Sequence, residues 1–132
     1  MSEETKYIIV DDDPLNNTIC SLMLKRTLHG VGTKTFTKPR EGLVFIQNNI
    51  NRLKTHSVLF LDINMPALTG WDFLGHYEKF SKEIKKRISV YLLSSSINHS
   101  DWDKAKKYAC IKGFVSKPLT TEAILTIAGN EF

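Results

Sequence analysis

Several reactive side chains of this sequence stand directly after short apolar runs. Asp11 and Asp12 follow one run, Asp62 follows a second, Ser94 ends a third, and Lys117 comes soon after a fourth. Carboxylates crowded together repel one another and raise at least one pKa, and a hard divalent cation such as Mg²⁺ relieves that repulsion. A hydroxyl and an ammonium group beside them can bind phosphoryl oxygens. The set therefore predicts phosphoryl transfer onto a carboxylate.

These side chains can meet only if the runs before them are neighbouring strands. Residues 7–10, 58–61, 90–93 and 114–115 form continuous apolar runs. Continuous runs of this length are typical of strands buried on both faces of a parallel sheet. The mixed segment 31–36 predicts an edge strand.

Segments with helical spacing separate the strands. Asp13 before Pro14 predicts the start of the first helix, and Ser100 with Asp103 predicts a capping box at the start of the fourth. The predicted inward-facing residues are Leu15, Ile19, Leu22 and Met23 in the first helix, Leu43, Ile46, Ile50 and Leu53 in the second, Phe73, Leu74, Tyr77 and Phe80 in the third, Trp102, Ala105 and Ala109 in the fourth, and Ile124, Leu125, Ile127 and Ala128 in the fifth.

The predicted strands and helices alternate five times, with short connections. This order predicts an α/β fold with a parallel sheet, right-handed crossovers and helices on both faces. Ligands of such folds bind beyond the carboxyl ends of the strands, near the point where strand order reverses. The chain of 132 residues is predicted to form a single domain.

The composition, with 42% hydrophobic and 24% charged residues, is that of an ordinary globular protein. A polar N-terminus and the lack of a long apolar run favour a cytoplasmic protein with no membrane partner. Cys20 and Cys110 stand far apart and are predicted to be reduced and buried. The net charge of +4 comes with basic clusters at 82–87 and 104–107. These clusters predict solvated helix faces rather than direct nucleic-acid binding, and the four histidines are predicted to lie at the surface.

Taken together, segments 10–12, 61–66, 93–95 and 117–118, with Gly70, resemble the receiver-domain family of two-component signalling, as in chemotaxis regulators. The resemblance covers about residues 5–128 and implies a single receiver domain over residues 1–132. It also implies a five-stranded, doubly wound (βα)5 sheet with the flavodoxin-like strand order 2-1-3-4-5.

The same resemblance implies the roles of the acidic residues. Asp62 occupies the position of the phosphoacceptor. Mg²⁺ would be held by Asp62, Asp12 and the backbone carbonyl of Asn64, with Asp11 completing the acidic pair directly or through water. The phosphoryl donor would be a sensor histidine kinase or a phosphotransfer protein.

Three further residues receive roles from the resemblance. Ser94 and Lys117 would bind the phosphoryl group, and the Lys117–Pro118 bond would be cis. Ser94 and Phe114 would form a switch pair that alters the face made by the fourth helix, fifth strand and fifth helix. That face would act on an unknown downstream protein. The chain would be a phosphoacceptor switch rather than an enzyme, apart from its self-catalysed phosphotransfer and slow autodephosphorylation.

Alternatives remain open. The chain is either a stand-alone regulator or a receiver excised from a longer one. A Mg²⁺-dependent phosphatase of the haloacid dehalogenase type also uses an aspartate nucleophile, but Leu15 stands where that family needs Thr or Val. A receiver-like binding module without a switch is the third interpretation.

Overall fold

The computed structural model describes residues 5–49 and 56–132, in which five strands and six helices follow one another. The elements are β1 (Thr5–Val10), α1 (Pro14–Leu28), β2 (Gly32–Phe36), α2 (Pro39–Asn48), β3 (Ser57–Asp62), α3 (Gly70–Tyr77), α4 (Lys82–Lys85), β4 (Ile88–Ser94), α5 (His99–Ala105), β5 (Ile111–Ser116) and α6 (Thr121–Glu131). All neighbouring strands pair in parallel, in the order β2-β1-β3-β4-β5. The predicted fold class, strand order and edge strand are confirmed.

Hydrophobic residues on the two faces of the sheet form two separate cores. Ile8 and Val10 point to the side covered by α2, α3, α4 and α5, whereas Tyr7 and Ile9 point to the side covered by α1 and α6. Every residue of β3 and β4 is buried, because helices cover both faces there. Continuous apolar runs are therefore what these strands require.

The predicted inward face of α1 is wrong for Leu15, Ile19 and Leu22, whereas Met23 is partly buried against the core. Leu15 is 66% exposed, Leu22 is 55% exposed and Ile19 is 38% exposed. The helix is turned so that two amide side chains face inward and bond to groups at the end of β1. Its buried residues are Asn16, Asn17, Cys20 and Leu24.

The start of α5 also differs from the prediction. Its N-cap is Asn98, whose Oδ1 accepts from the backbone N–H of Asp101, and the Asp101 carboxylate accepts from the Asn98 N–H in return. This reciprocal pair closes the first turn two residues before the predicted box. Ala105 is buried as predicted, whereas Trp102 is half exposed and Ala109 is exposed beyond the helix.

The other helices follow the predicted pattern more closely. Asp13 caps α1 as predicted, since its carboxylate accepts from the Leu15 N–H at 3.0 Å. Short α4 was not predicted and makes the predicted fourth and fifth helices α5 and α6. Ile50 and Leu53 lie outside the described residues, and Leu125 is exposed. The predicted inward residues that are buried are Leu43, Ile46, Phe73, Leu74, Tyr77, Ile124 and Ile127.

A polar network toward the amino-terminal ends of the strands connects α6 to β4. The Glu131 carboxylate accepts from the Ser89 and Tyr91 hydroxyls, each at 2.6 Å, and lies 2.8 Å from His56 Nε2. Burial opposes ionisation of Glu131, but these hydrogen bonds outweigh it and lower its pKa. The prediction of a surface role is therefore wrong for His56, which is partly buried.

The structure also locates the cysteines and the basic clusters. Cys20 and Cys110 are both free, but only Cys20 is buried. Lys85 and Arg87 are partly buried and pair with glutamates, while the other lysines of the two basic clusters are exposed. Within residues 5–49 and 56–132, no helix combines the length and the apolar character needed to cross a bilayer.

Candidate functional site

The strand order brings the acidic residues together where β1 and β3 end. Val10 pairs with Leu61 in the parallel ladder, so Asp11 and Asp62 leave adjacent strands at the same level. Strand order reverses here, which is where ligands bind in such sheets. Both carboxylates are buried, whereas Asp12 is exposed at the rim.

A lysine joins two of these carboxylates. Lys117 follows β5, and its backbone N–H donates to the Ser94 carbonyl at 3.1 Å. Its Nζ lies 2.8 Å from Asp11 Oδ2 and 3.3 Å from Asp62 Oδ2. The Lys117–Pro118 bond is cis, as the resemblance implied. The ammonium group therefore lies between two carboxylates that come from different strands.

Burial and neighbouring charges shift the pKa values of Asp62 and Lys117. Burial, with the charge of Asp11, raises the pKa of Asp62, although the Asn64 N–H and Lys117 oppose the rise. Burial lowers the pKa of Lys117, but its contacts with Asp11 and Asp62 outweigh this and the pKa is raised. Lys117 therefore stays an ammonium group and supplies the positive charge that the buried carboxylates need.

Both oxygens of Asp11 are occupied by protein donors. Oδ1 accepts from the Asp13 N–H at 2.9 Å, and Oδ2 accepts from Asn16 Nδ2 at 2.6 Å as well as from Lys117. Asn17 Nδ2 donates to the Asp11 carbonyl at 2.9 Å. Sequence reasoning missed both asparagines. The signal was the four-residue spacing of Asn16 with buried Cys20, which places the amide on the inward face.

Asp62 is joined to Ser94 through Asn64. The Asn64 N–H donates to Asp62 Oδ1 at 3.0 Å, and Asn64 Nδ2 lies 3.5 Å from Ser94 Oγ. The Ser94 hydroxyl itself donates to the Ser96 carbonyl at 2.6 Å and accepts from the Ser96 N–H at 3.1 Å. Ser94 thus lies beside the acidic pocket, with its hydroxyl bonded to its own loop.

The start of α3 is packed directly against the residue that bears the central carboxylate. A Cβ added to Gly70 would lie 2.8 Å from the Asp62 carbonyl oxygen and 2.7 Å from Ile63 Cα. Both are backbone atoms and cannot move aside. Only glycine permits this close approach, which fixes the loop between β3 and α3.

Phe114 lies apart from these polar residues, on the side of β5 that faces α5. Its ring packs against Trp102, with ring centroids 4.3 Å apart. The structure therefore brings together Asp11, Asp12, Asp62, Lys117, Asn64 and Ser94, and places Phe114 at the neighbouring helix.

The acidic part of the site has the donor set of a hard cation. One carboxylate oxygen from each of Asp11, Asp12 and Asp62 lies within 4.8 Å of the others. The Asp12 carboxylate is the exposed member of the group. Carboxylate oxygens and a few waters are the ligands that Mg²⁺ prefers.

The phosphatase alternative is not favoured, because Leu15 is exposed on α1 rather than facing the carboxylates.

Known structures resemble the whole chain. A two-component response regulator from Cytophaga hutchinsonii is 27% identical, with a TM-score of 0.80 over 98% of this chain and 97% of that one. A response regulator receiver protein from Dyadobacter fermentans is 22% identical, with a TM-score of 0.86 over 97% of this chain and 98% of that one. The chemotaxis protein CheY4 of Vibrio cholerae is also 22% identical, with a TM-score of 0.77 over the same shares.

The sequence itself carries the family match. Residues 7–128 match the family model described as the response regulator receiver domain. This match starts in β1 and ends in α6, so it takes in all five strands and every residue of the acidic pocket. The protein belongs to the response regulator receiver domain family.

Proposed function

We propose that this receiver domain is a signalling switch that accepts a phosphoryl group on Asp62. The observation that carries the proposal is the position of Lys117 Nζ, 2.8 Å from Asp11 and 3.3 Å from Asp62. An ammonium group fixed beside a buried carboxylate can neutralise a phosphoryl group as it arrives. Phosphoryl transfer depends mainly on such positioning and charge neutralisation.

The donor is a phosphohistidine of a sensor histidine kinase or a phosphotransfer protein. The bond between phosphorus and the imidazole nitrogen breaks, and its electron pair stays with the imidazole. A new bond forms between phosphorus and a carboxylate oxygen of Asp62, giving an acyl phosphate. Mg²⁺, held by Asp12, Asp62 and the Asn64 carbonyl, would neutralise charge on the phosphoryl oxygens.

The exposed apolar stripe of α1, formed by Leu15, Ile19 and Leu22, is the proposed docking surface for the donor. The helix begins directly after the acidic pair, so a partner on its surface can reach Asp62. These side chains have no role in the described core, since α1 packs inward through Cys20 and Leu24. An exposed apolar stripe beside a reactive site is typical of an interaction surface.

Ser94 and Phe114 transmit the effect of phosphorylation from Asp62 to the surface of the domain. A phosphoryl group on Asp62 offers new acceptors for the Ser94 hydroxyl, which then leaves the Ser96 carbonyl. The movement frees space for the ring of Phe114 and changes the face formed by α5, β5 and α6. This is a two-state equilibrium that a local charge displaces. A downstream protein would bind the altered face.

The test is phosphorylation of the purified chain by acetyl phosphate with Mg²⁺, followed by intact mass. The wild-type chain should gain one phosphoryl group, and Asp62→Asn should gain none. Asp103→Asn, an exposed carboxylate on α5, is the matched control and should behave as wild type. Incorporation into Asp62→Asn at the wild-type level would reject Asp62 as the acceptor.

A further inference from the structure

Asn16 contacts the acidic pocket directly, although the family resemblance assigned it no role. It lies in the first turns of α1 and is only 9% exposed. Its Nδ2 donates to Asp11 Oδ2 at 2.6 Å. A buried amide has to satisfy its donors, and Asn16 does so on Asp11, the nearer of the two carboxylates that Lys117 contacts.

Asp11 Oδ2 already accepts two hydrogen bonds. Asn16 and Lys117 both donate to Oδ2, and the Asp13 N–H donates to Oδ1. Charge-assisted hydrogen bonds such as these are about twice as strong as neutral ones. For Asp11 to offer Oδ2 to a cation as a direct ligand, one of the two bonds at that oxygen must break.

We propose that Asn16 is a positioning residue that holds Asp11 as the partner of Lys117 and keeps Asp11 Oδ2 from direct coordination of the divalent cation. This inference rests on the proposed function. With Asp11 fixed, Lys117 stays aimed at Asp62. The cation then has Asp12 and Asp62 as its carboxylate ligands and keeps several waters, which suits Mg²⁺.

The proposal predicts effects of opposite sign when the amide is removed. In Asn16→Leu, Asp11 Oδ2 loses a donor and becomes available to the cation. The affinity for Mg²⁺ should rise about threefold to tenfold, which corresponds to about 0.7–1.4 kcal/mol. Lys117 loses its fixed partner, so phosphorylation by acetyl phosphate at saturating Mg²⁺ should slow about tenfold. A merely structural asparagine would lower both quantities or neither.

Calorimetric titration with Mg²⁺ and the rate of acetyl phosphate incorporation measure the two effects separately. Asn16→Ala, which removes the same amide and adds no charge, serves as a second variant in case Asn16→Leu does not fold. It should likewise bind Mg²⁺ more tightly and react more slowly. Asn17→Leu is the matched control, because Asn17 bonds the Asp11 carbonyl rather than its carboxylate. Its Mg²⁺ affinity should not rise.

The outcomes separate this inference from the function on which it rests. If the wild-type chain takes no phosphoryl group, the proposed function fails, and the Mg²⁺ titrations still report on Asn16. If the wild type is phosphorylated but the folded Asn16 variants bind Mg²⁺ no more tightly than wild type, the positioning role is overturned. An equal rise in Asn17→Leu would overturn it too.

Discussion

Trp102 packs its indole ring against the ring of Phe114, with centroids 4.3 Å apart and planes inclined by 52°. Trp102 comes from α5 and Phe114 from β5, so the pair joins a helix to the sheet edge. Trp102 is 50% exposed, while Phe114 is partly buried. Any movement of the Phe114 ring therefore changes the surroundings of a solvent-facing fluorophore.

We predict that beryllofluoride with Mg²⁺, a mimic of the phosphoryl group, changes the emission of Trp102. The other tryptophan is Trp71, which stacks on Tyr108. Trp71→Phe should keep the fluorescence response, and Trp102→Phe should lose most of it. If Trp71→Phe shows constant emission while Asp62 is saturated, Phe114 does not move and the chain is a binding module without a switch.

Substitution of Leu22 by Gln should separate two kinds of phosphoryl donor. Leu22 is exposed on α1, so the change should leave the fold and the rate with acetyl phosphate unaltered. Transfer from a phosphohistidine protein should slow about tenfold, as for loss of an apolar contact worth about 1.4 kcal/mol at an interface. Val44→Gln, an equally exposed apolar residue on α2, is the control. Equal slowing in both variants would argue against docking on α1.

Alanine at Gly70 should destabilise the protein and disturb the acidic pocket. Its Cβ would meet the backbone of Asp62 and Ile63, and such overpacking costs about 1–3 kcal/mol. Gly75 in the same helix has open space around it, so Gly75→Ala should stabilise the protein by about 0.5–1 kcal/mol. Urea unfolding measures both effects. Similar stabilities for the two variants would contradict the close approach at Gly70.

Glu131→Gln should destabilise the protein at neutral pH by about 1–3 kcal/mol, because the charged acceptor of three donors is lost. The pKa of Glu131 is lowered in the folded state, so ionised Glu131 stabilises the fold above the ordinary glutamate pKa. That contribution is lost as the pH falls below about 4.3, the ordinary glutamate value.

Urea unfolding of the wild type and Glu131→Gln at pH 7 and near pH 3.5 checks this dependence. The difference between the two chains should be largest at pH 7 and should become smaller as the pH falls below the ordinary glutamate pKa. Glu122→Gln, an exposed glutamate in the first turn of the same helix, should cost no more than about 1 kcal/mol. A difference that grows in acid would contradict the lowered pKa.

The sheet could be predicted from the sequence because its inner strands are buried on both faces. Continuous apolar runs are typical of such strands, and the helical segments that alternate with them indicate parallel pairing through crossovers. The predicted inward face of α1 is wrong for a physical reason. Its inward positions carry amides that bond to Asp11 and to the ends of β1 and β2, so hydrophobicity points to the opposite face.

The candidate site likewise has a part that the sequence predicts and a part that it does not. Asp11, Asp62 and Lys117 could be placed together because each stands after a strand of one parallel sheet. Asn16 could not, because a polar residue in a helix is ordinarily exposed. Its role depends on the exact rotation of α1, which tertiary hydrogen bonds decide. The network of Glu131 was missed because it also depends on tertiary contacts. Its partner His56 lies 75 positions away in the sequence.

The hydrophobic pattern of α1 does not mark its buried face, so a redesign of the helix based on that pattern would change the wrong residues. Replacing Leu15 and Leu22 with polar residues and Asn16 with leucine would give an ordinary amphipathic helix and a more soluble chain. The same edits would remove the donor-docking stripe proposed for its outer side and the amide that holds Asp11 on its inner side. Solubility and signalling thus make opposite demands on one segment of fifteen residues.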